Sequence, residues 1–171
     1  FDSSRSAFYS WHKTGRAFDT FMNFTAAGAR GGDGMVLVRE GGGRPMWRMY
    51  LWAAVQDGSV GEPIREPGWR FSTSGWDEEH ELREGGSRAL RVPGGYWVDF
   101  TAAAARYGWH RIPAISRPGF DWRESFSAIE FWHYERRDGL SWREAISEVY
   151  EPEMIEEALR GAPPRRRGGG G

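Results

Sequence analysis

Short runs of apolar and aromatic residues, separated by glycine-rich segments, dominate the first hundred positions of the chain. Met35–Arg39 and Met46–Val55 are rich in branched and aromatic side chains, which is typical of β-strands. Gly41–Gly43 lies between them and favours a turn, so we predict a β-hairpin here. The next stretch, Gly61–Gly95, is rich in glycine, proline and charge, and we expect it to form an irregular insertion.

A helical pattern begins at Trp97. The segment Trp97–Tyr107 is rich in alanine, spaces its apolar residues three to four positions apart and is followed by Gly108, which together predict a helix. Trp109–Ile112 then predicts a short strand that ends before Pro113. A helix that leads through glycine into a strand is an ordinary connection in α+β proteins.

Two more helices are predicted near the C-terminus, and both have start signals. Ser141 and Glu144 have the spacing of a capping box, which predicts a helix over Trp142–Tyr150. Pro152 is suited to the first turn of a second helix, which we expect to end near Arg160.

Two further segments are predicted to be extended. Tyr9–Phe24 mixes aromatic and polar residues around Gly15, which favours two short extended pieces joined by a turn. Ala128–Glu135 has the aromatic content of a strand. The whole pattern indicates an α+β fold in one domain over 1–160, and we expect the Gly-, Pro- and Arg-rich segment 161–171 to be a disordered tail.

Composition narrows the range of functions. The chain has 171 residues, with 23 Lys and Arg against 24 Asp and Glu, so its net charge of −1 provides no positive field for a nucleic-acid partner. Its mean hydropathy is −0.67, and no apolar run approaches the roughly 20 residues of a membrane-spanning helix. The absence of cysteine excludes disulfides, thiolate metal ligands and a cysteine nucleophile.

Metal-competent side chains occur in two places along the chain. The first is Ser10–Asp19 (SWHKTGRAFD) and the second is Glu130–His133 (EFWH). Three common catalytic patterns are absent: the Gly-x-Ser-x-Gly elbow of serine hydrolases, the Gly-x-x-x-x-Gly-Lys phosphate loop and the His-Glu-x-x-His zinc helix. The chemistry of this sequence is therefore expected to reside in these two segments.

The residues of the two segments suit a hydrolytic zinc site. Such a site needs three nitrogen or oxygen ligands, an open position for water and a nearby carboxylate that takes the proton of that water. His12, Asp19 and His133 can supply two imidazoles and one carboxylate. Glu130 can then remain off the metal and act as the general base.

Both segments resemble motifs of the zinc D-Ala-D-Ala carboxypeptidases and dipeptidases, which are relatives of lysostaphin-type peptidases and of the Hedgehog signalling domain. Ser10–Asp19 matches the pattern Ser-x-His-x-x-Gly-x-Ala-x-Asp at every fixed position. Glu130–His133, with Trp132 before the histidine, resembles the second motif, Glu-x-Trp-His. Trp97–Ile112 resembles the helix and Tyr-Gly-aromatic segment that lie between the two motifs.

The resemblance implies a fold, a cofactor and an activity. The fold is a small antiparallel sheet that carries the zinc site and is flanked by helices. His12, Asp19 and His133 are implied to be the ligands of Zn²⁺, and Glu130 the base that activates the hydrolytic water. The implied substrates are peptidoglycan peptides or other peptides that end in D-Ala-D-Ala, and we therefore expect export to the cell surface or periplasm.

Other residues of the motifs are expected to support the site. Ser10 is implied to lie beside it, and Gly15 would permit the turn that brings His12 and Asp19 together. Trp11 and Trp132 each precede a proposed ligand, so they are expected to exclude water and hold the ligands in place.

The family also carries a basic residue or glutamine well upstream of the first motif, where it polarises the scissile carbonyl or holds substrate. Arg5 is the candidate for this role, because only nine residues precede Ser10. We also expect that the N-terminal part of the family's domain is missing from this chain.

One geometric requirement and two alternatives follow. Residues i and i+3 of a regular strand face opposite sides, so a shared pocket for Glu130 and His133 requires a bend or bulge, or a base that reaches around an edge of the sheet. The same metal site could serve an endopeptidase that acts on cross-links or on other peptides. The alternative outside enzymology is a non-catalytic zinc-stabilised binding or signalling module.

Overall fold

The computed structural model describes residues 8–20, 34–41, 45–70, 87–88 and 92–161. These residues form two compact units, one made of 8–18 and 135–161 and the other of the described part of 19–134. Helices and small antiparallel sheets are both present, which confirms the predicted α+β class. Within the described ranges, no helix has the length and apolar character needed to cross a lipid bilayer.

The elements are short. The strands are β1 Ala17–Asp19, β2 Met35–Glu40, β3 Met46–Trp52, β4 Gly68–Arg70, β5 Ser87–Arg88, β6 Trp97–Asp99, β7 His110–Arg111, β8 Ser116–Arg117, β9 Phe120–Asp121 and β10 His133–Glu135. The α-helices are α1 Phe100–Arg106, α2 Trp142–Ser147 and α3 Pro152–Arg160. Two 3₁₀-helices span Trp11–Thr14 and Phe126–Ala128.

The predicted hairpin is the centre of the larger sheet. β2 pairs with β3 in antiparallel register, with Met35 opposite Leu51 and Glu40 opposite Met46. The five strands follow the order β5-β4-β2-β3-β6. The hairpin prediction is therefore confirmed, and its turn residues 42–44 lie outside the described part of the chain.

Strand β2 is buried on both faces of this sheet. Side chains alternate between the two faces of a strand, and accordingly Met35 and Leu37 pack in one cluster while Val36 and Val38 pack in another. The first cluster is the larger core and also contains the aromatic residues Trp47, Trp122, Phe131 and Trp132. Burial on both faces explains why β2 is a continuous apolar run and not an alternating one.

The insertion predicted to be irregular contributes strands to this sheet. Gly68–Arg70 pairs with β2, and Ser87–Arg88 pairs with Gly68–Arg70. The prediction for Gly61–Gly95 is wrong at these positions. Strands of two or three residues carry too little hydrophobic periodicity to be recognised in the sequence, and here β4 pairs with β2 while β5 pairs with β4. Residues 71–86 and 89–91 lie outside the described part.

The predicted helix at Trp97 begins three residues later than expected. Trp97–Asp99 is strand β6, which pairs with β3, and α1 begins at Phe100. Asp99 has extended backbone and its side chain accepts a hydrogen bond of 2.7 Å from the amide of Ala102, which makes it the N-cap residue. The sheet edge therefore decided the conformation of residues that the alanine-rich pattern assigned to the helix.

The aromatic segment before β10 also differs from prediction. Only His133–Glu135 of the predicted strand Ala128–Glu135 is extended, whereas Ala128 ends a 3₁₀-helix. Ala128, Ile129 and Phe131 are each at most 1% exposed. Burial in the core explains the apolar character of these residues, so the strand prediction is wrong for them.

In the other unit, the predicted helix starts are confirmed. Ser141 accepts from the Glu144 amide and Glu144 accepts from the Ser141 amide, which is a complete capping box. Helix α2 ends at Ser147, earlier than the expected Tyr150, and α3 spans Pro152–Arg160 as predicted. A cluster of Trp142, Ile146 and Ile155 holds α2 and α3 together, with Phe8, Tyr9 and Trp11 packed against it.

Candidate metal centre

Asp19 and His133 come from neighbouring strands of the three-stranded sheet. Its three strands follow the order β1-β10-β7, so the last residue of β1 and the first residue of β10 lie on adjacent strands. Oδ1 of Asp19 and Nδ1 of His133 are 2.8 Å apart. The His133 side chain is 11% exposed and that of Asp19 is 42% exposed. His133 therefore lies against the protein interior, whereas Asp19 is open to solvent.

His12 is held by its backbone at both ends of a single turn. The hydroxyl of Ser10, the N-cap of the 3₁₀-helix Trp11–Thr14, accepts from the His12 amide at 3.3 Å. The amide of Gly15 donates to the carbonyl of His12 at 3.1 Å. Gly15 has φ of +69°, a left-handed conformation that costs glycine little. Within the described part of this segment, residues 9–20, a 3₁₀ turn thus replaces the first predicted extended piece, and Ala17–Asp19 is a strand.

His12, Asp19 and His133 form a group that could hold a metal ion. One ligand atom from each residue lies within 4.8 Å of the others. Ligand atoms of a tetrahedral zinc site, with bonds of about 2.1 Å, lie about 3.4 Å from one another. Small side-chain rotations are enough to close that difference, and two imidazoles with one carboxylate are donors that zinc accepts. The donor set therefore fits the implied ion.

Glu130 is joined to His133 by a backbone turn and is not part of the group of potential ligands. The amide of His133 donates to the carbonyl of Glu130 at 3.2 Å and closes a four-residue turn. Glu130 has φ of +63°, which is unusual for a residue with a side chain. Of the possibilities predicted for the Glu-x-x-His spacing, a bend is therefore present, and it is made by a turn that precedes β10.

The two tryptophans of the motifs have different surroundings. Trp132 is 4% exposed and packs edge-on against Phe131, so it belongs to the core. Trp11 is partly buried, and the guanidinium of Arg137 lies 4.9 Å from the centre of its ring. The expected task of holding the adjacent histidines remains a prediction for both tryptophans, and little of the Trp132 surface is left for direct contact with a substrate.

Thr20 is a supporting residue that the sequence analysis did not identify. Its amide and its hydroxyl both donate to the carbonyl of Trp132, at 2.9 and 3.3 Å. These bonds join the residue after Asp19 to the residue before His133. Because the partners are 112 positions apart, no local pattern could have signalled them.

Arg16 is a second such residue. It occupies a variable position of the first motif, and its guanidinium donates to Glu148 at 2.7 Å and to Asp138 at 2.7 Å. The hydrogen bonds from Arg16 and then Arg136 hold the pKa of the Asp138 carboxyl below its ordinary value. The backbone carbonyl of Arg16 accepts from the Arg136 amide at 2.9 Å. Arg16 therefore secures the start of the segment that leads to Asp19.

Tyr134 supports the strand that carries His133. It is fully buried, and its hydroxyl lies 3.1 Å from the hydroxyl of Thr101, which also accepts from the Met49 amide. Burial raises the pKa of the Tyr134 phenol, so the group is neutral near pH 7. A neutral phenol in this hydrogen-bonded chain fixes β10 against the larger sheet.

Arg5, the candidate substrate residue, lies outside the described residues. No protein-family model, curated protein or solved structure matches this chain.

Proposed function

We propose that this protein is a zinc-dependent metallopeptidase that hydrolyses peptide bonds in D-amino-acid-containing cell-wall peptides, in the manner of a D-Ala-D-Ala carboxypeptidase. The observation that carries the proposal is the grouping of His12, Asp19 and His133 within 4.8 Å. These are the three residues that the two motifs nominate as ligands, and more than a hundred positions separate the first two from the third.

The residues of the site divide the catalytic work. His12, Asp19 and His133 would hold the ion, which when bound acts as a Lewis acid toward water and the scissile carbonyl. Glu130 takes the proton of the water as its oxygen attacks the carbonyl carbon. The same proton then passes to the leaving amine as the C–N bond breaks. Ser10 keeps the His12 backbone in place through its hydroxyl.

The backbone of Glu130 supports a functional role for this residue. A left-handed conformation costs a residue with a Cβ roughly 1–2 kcal/mol. Strain of this kind persists where the surrounding structure enforces it, and it concentrates at functional sites. The turn that contains this strained residue joins the Glu130 carbonyl to the His133 amide, which supports the proposal that Glu130 serves as the base beside the metal ligands.

The choice of substrate rests on the motif resemblance. D-Ala-D-Ala-ended peptides and peptidoglycan fragments are the proposed partners, and the cell surface or periplasm is the proposed location. A panel of D-Ala-D-Ala-ended peptides, cross-linked wall fragments and L-peptides separates carboxypeptidase from endopeptidase action. Release of D-Ala from the first group alone is the expected result.

Metal content tests the ligand assignment. We expect the wild-type protein to bind one equivalent of zinc, and His12→Ala and His133→Ala to lose it. His110→Ala is the matched control, because His110 is exposed on β7 and outside the cluster. Elemental analysis after gel filtration gives the stoichiometry. Equal zinc in all four proteins would remove the site.

Glu130→Gln tests the base. The variant keeps the shape of the side chain and should bind zinc stoichiometrically, while turnover of the D-Ala-D-Ala peptide falls by a factor of 100 or more, the order expected for loss of a general base. Full activity in the variant would contradict the assignment. Zinc binding without turnover in either protein would favour a non-catalytic zinc module.

A further inference from the structure

A cationic cleft lies in the unit 19–134, between β3, α1 and β7. Its volume is about 580 Å³, which falls in the range of sites for small organic ligands. The lining residues that matter here are Met46, Arg48, Ala102, Arg106, Trp109 and Arg111. The cleft therefore combines three guanidinium groups with an apolar and aromatic wall.

The charges around the cleft do not cancel. Arg48 is paired with Glu40 and Asp99, and Arg111 is paired with the same Glu40. Neither carboxylate lines the cleft, and the described lining residues include Arg48, Arg106, Arg111 and His110 but no acidic side chain. Arg106 is exposed in the last turn of α1. The three arginines and the two carboxylates together carry a net charge of +1, which is available to an anionic ligand.

Arg111 adds an independent observation. Its side chain is only 10% exposed, and its Nη2 donates to Glu40. Its Nη1 is buried and has no hydrogen-bond partner in the described part of the structure. A buried donor without an acceptor costs free energy, more so when the group is charged. Because Arg111 also lines the cleft, an oxyanion bound there would lie beside a guanidinium that Glu40 satisfies only in part.

The cleft is separate from the metal centre. Tyr134 bonds to Thr101, which lines the cleft, and the charge of Arg111 acts on the Tyr134 phenol. Successive side chains of a strand point to opposite faces, so His133 projects from β10 on the side opposite to Tyr134. A ligand in the cleft would therefore not compete for the proposed zinc ligands.

We propose that this cleft binds a small oxyanion, a carboxylate or a phosphate ester, carried on an apolar body. The oxyanion interacts with Arg106 and Arg111, while Arg48 is held in place by its two carboxylates. Trp109, Met46 and Ala102 contact the apolar body. Guanidinium groups recognise carboxylates and phosphates alike through paired hydrogen bonds, so the proposed ligand is defined by its oxyanion and not by one of these two groups.

Titrations of the full chain test this site. Phenyl phosphate and phenylacetate probe the two oxyanions, inorganic phosphate probes the charge without the apolar body, and benzyl alcohol probes the apolar body without the charge. We expect saturable binding of at least one aromatic oxyanion, weaker binding of inorganic phosphate and none of benzyl alcohol. Amide shifts in the protein NMR spectrum should include Ala102, Trp109 and Arg111.

The variant Arg106→Gln should weaken binding of the aromatic oxyanion about tenfold, as expected for loss of one charged hydrogen-bonding partner. Arg160→Gln is the matched control, because Arg160 is also an exposed arginine in the last turn of a helix, α3. It should bind as the wild type does. No saturable binding, equal weakening in both variants, or shifts confined to the surroundings of His133 would overturn the proposal.

Discussion

Gly15 and Glu130 both have left-handed backbone, and each lies close to a proposed metal ligand. Their φ angles are +69° and +63°. The conformation costs glycine almost nothing but costs glutamate roughly 1–2 kcal/mol. Gly15 ends the 3₁₀ turn that contains His12, and Glu130 begins the turn that leads to His133. At the residue scale, the turn that ends at Gly15 and the turn that begins at Glu130 therefore fix the backbone beside His12 and His133.

Substitutions at Gly15 should change the free energy of unfolding through backbone strain and not through steric clash. Apart from Gly15 and its two chain neighbours, no described atom lies within 4 Å of a Cβ built at this position, so Gly15→Ala has only the conformational cost and should lower the free energy of unfolding by about 1 kcal/mol. Asparagine tolerates the left-handed region better, so Gly15→Asn should lose less. Urea unfolding curves measure both. Equal stability of wild type and Gly15→Ala would show that the turn is not held in this conformation.

At the scale of elements, a short helix controls the start of the first motif. The indole of Trp142, the first residue of α2, donates to the carbonyl of Ser10 at 3.0 Å, and its ring contacts Phe8 and Tyr9. A six-residue helix is too short to be stable by itself, so its cap and its packing decide whether it forms. The Ser141 capping box therefore contributes to the position of Ser10 and of the turn after it.

Ser141→Ala should destabilise this arrangement. It removes the side-chain acceptor for the Glu144 amide and should cost about 1 kcal/mol of unfolding free energy. Ser147→Ala, at the other end of α2, is the control, because its hydroxyl only donates to the Arg143 carbonyl at an exposed position. The control should change stability by less than about 0.5 kcal/mol. A similar loss in both variants would argue against a specific role of the cap.

At the scale of the larger unit, a network of charges joins four elements. Glu40 from β2 accepts from Arg48 of β3 and from Arg111 of β7, and Arg48 also donates to Asp99 at the start of α1. Burial raises the pKa of the Glu40 carboxyl, but the hydrogen bonds and charges of Arg48 and Arg111 outweigh burial and hold the pKa below 4.5. The network is therefore maintained by the ionised form of Glu40.

The stabilising effect of Glu40 should depend on pH. Because its pKa is lower in the folded than in the unfolded protein, its contribution is complete above about pH 4.5 and is lost as the pH falls through the folded-state pKa. The difference in unfolding free energy between wild type and Glu40→Gln should therefore be largest near pH 7 and shrink toward pH 3. The exposed Glu157→Gln serves as the control and should show no such trend. A constant difference for Glu40→Gln would contradict the assignment.

Prediction from the sequence succeeded where structure depends on near neighbours. The β2–β3 hairpin, the Ser141 cap and the proline that opens α3 all follow from interactions within a few residues. Prediction failed at Trp97–Asp99, where a sheet edge converts a helical pattern into a strand. It failed again over Ala128–Trp132, where burial in the core produces an apolar run without a strand.

The sequence by itself determined which donors are available for a metal and where Gly15 turns the chain, because side-chain chemistry and glycine's backbone freedom act over a few residues. Only the tertiary structure decided that Asp19 and His133 meet, since β1 and β10 pair across 114 positions of chain. The grouping of Arg111 with Arg48 and Glu40 has the same origin. Contacts of this kind arise from sheet pairing and core burial, which no short stretch of sequence encodes.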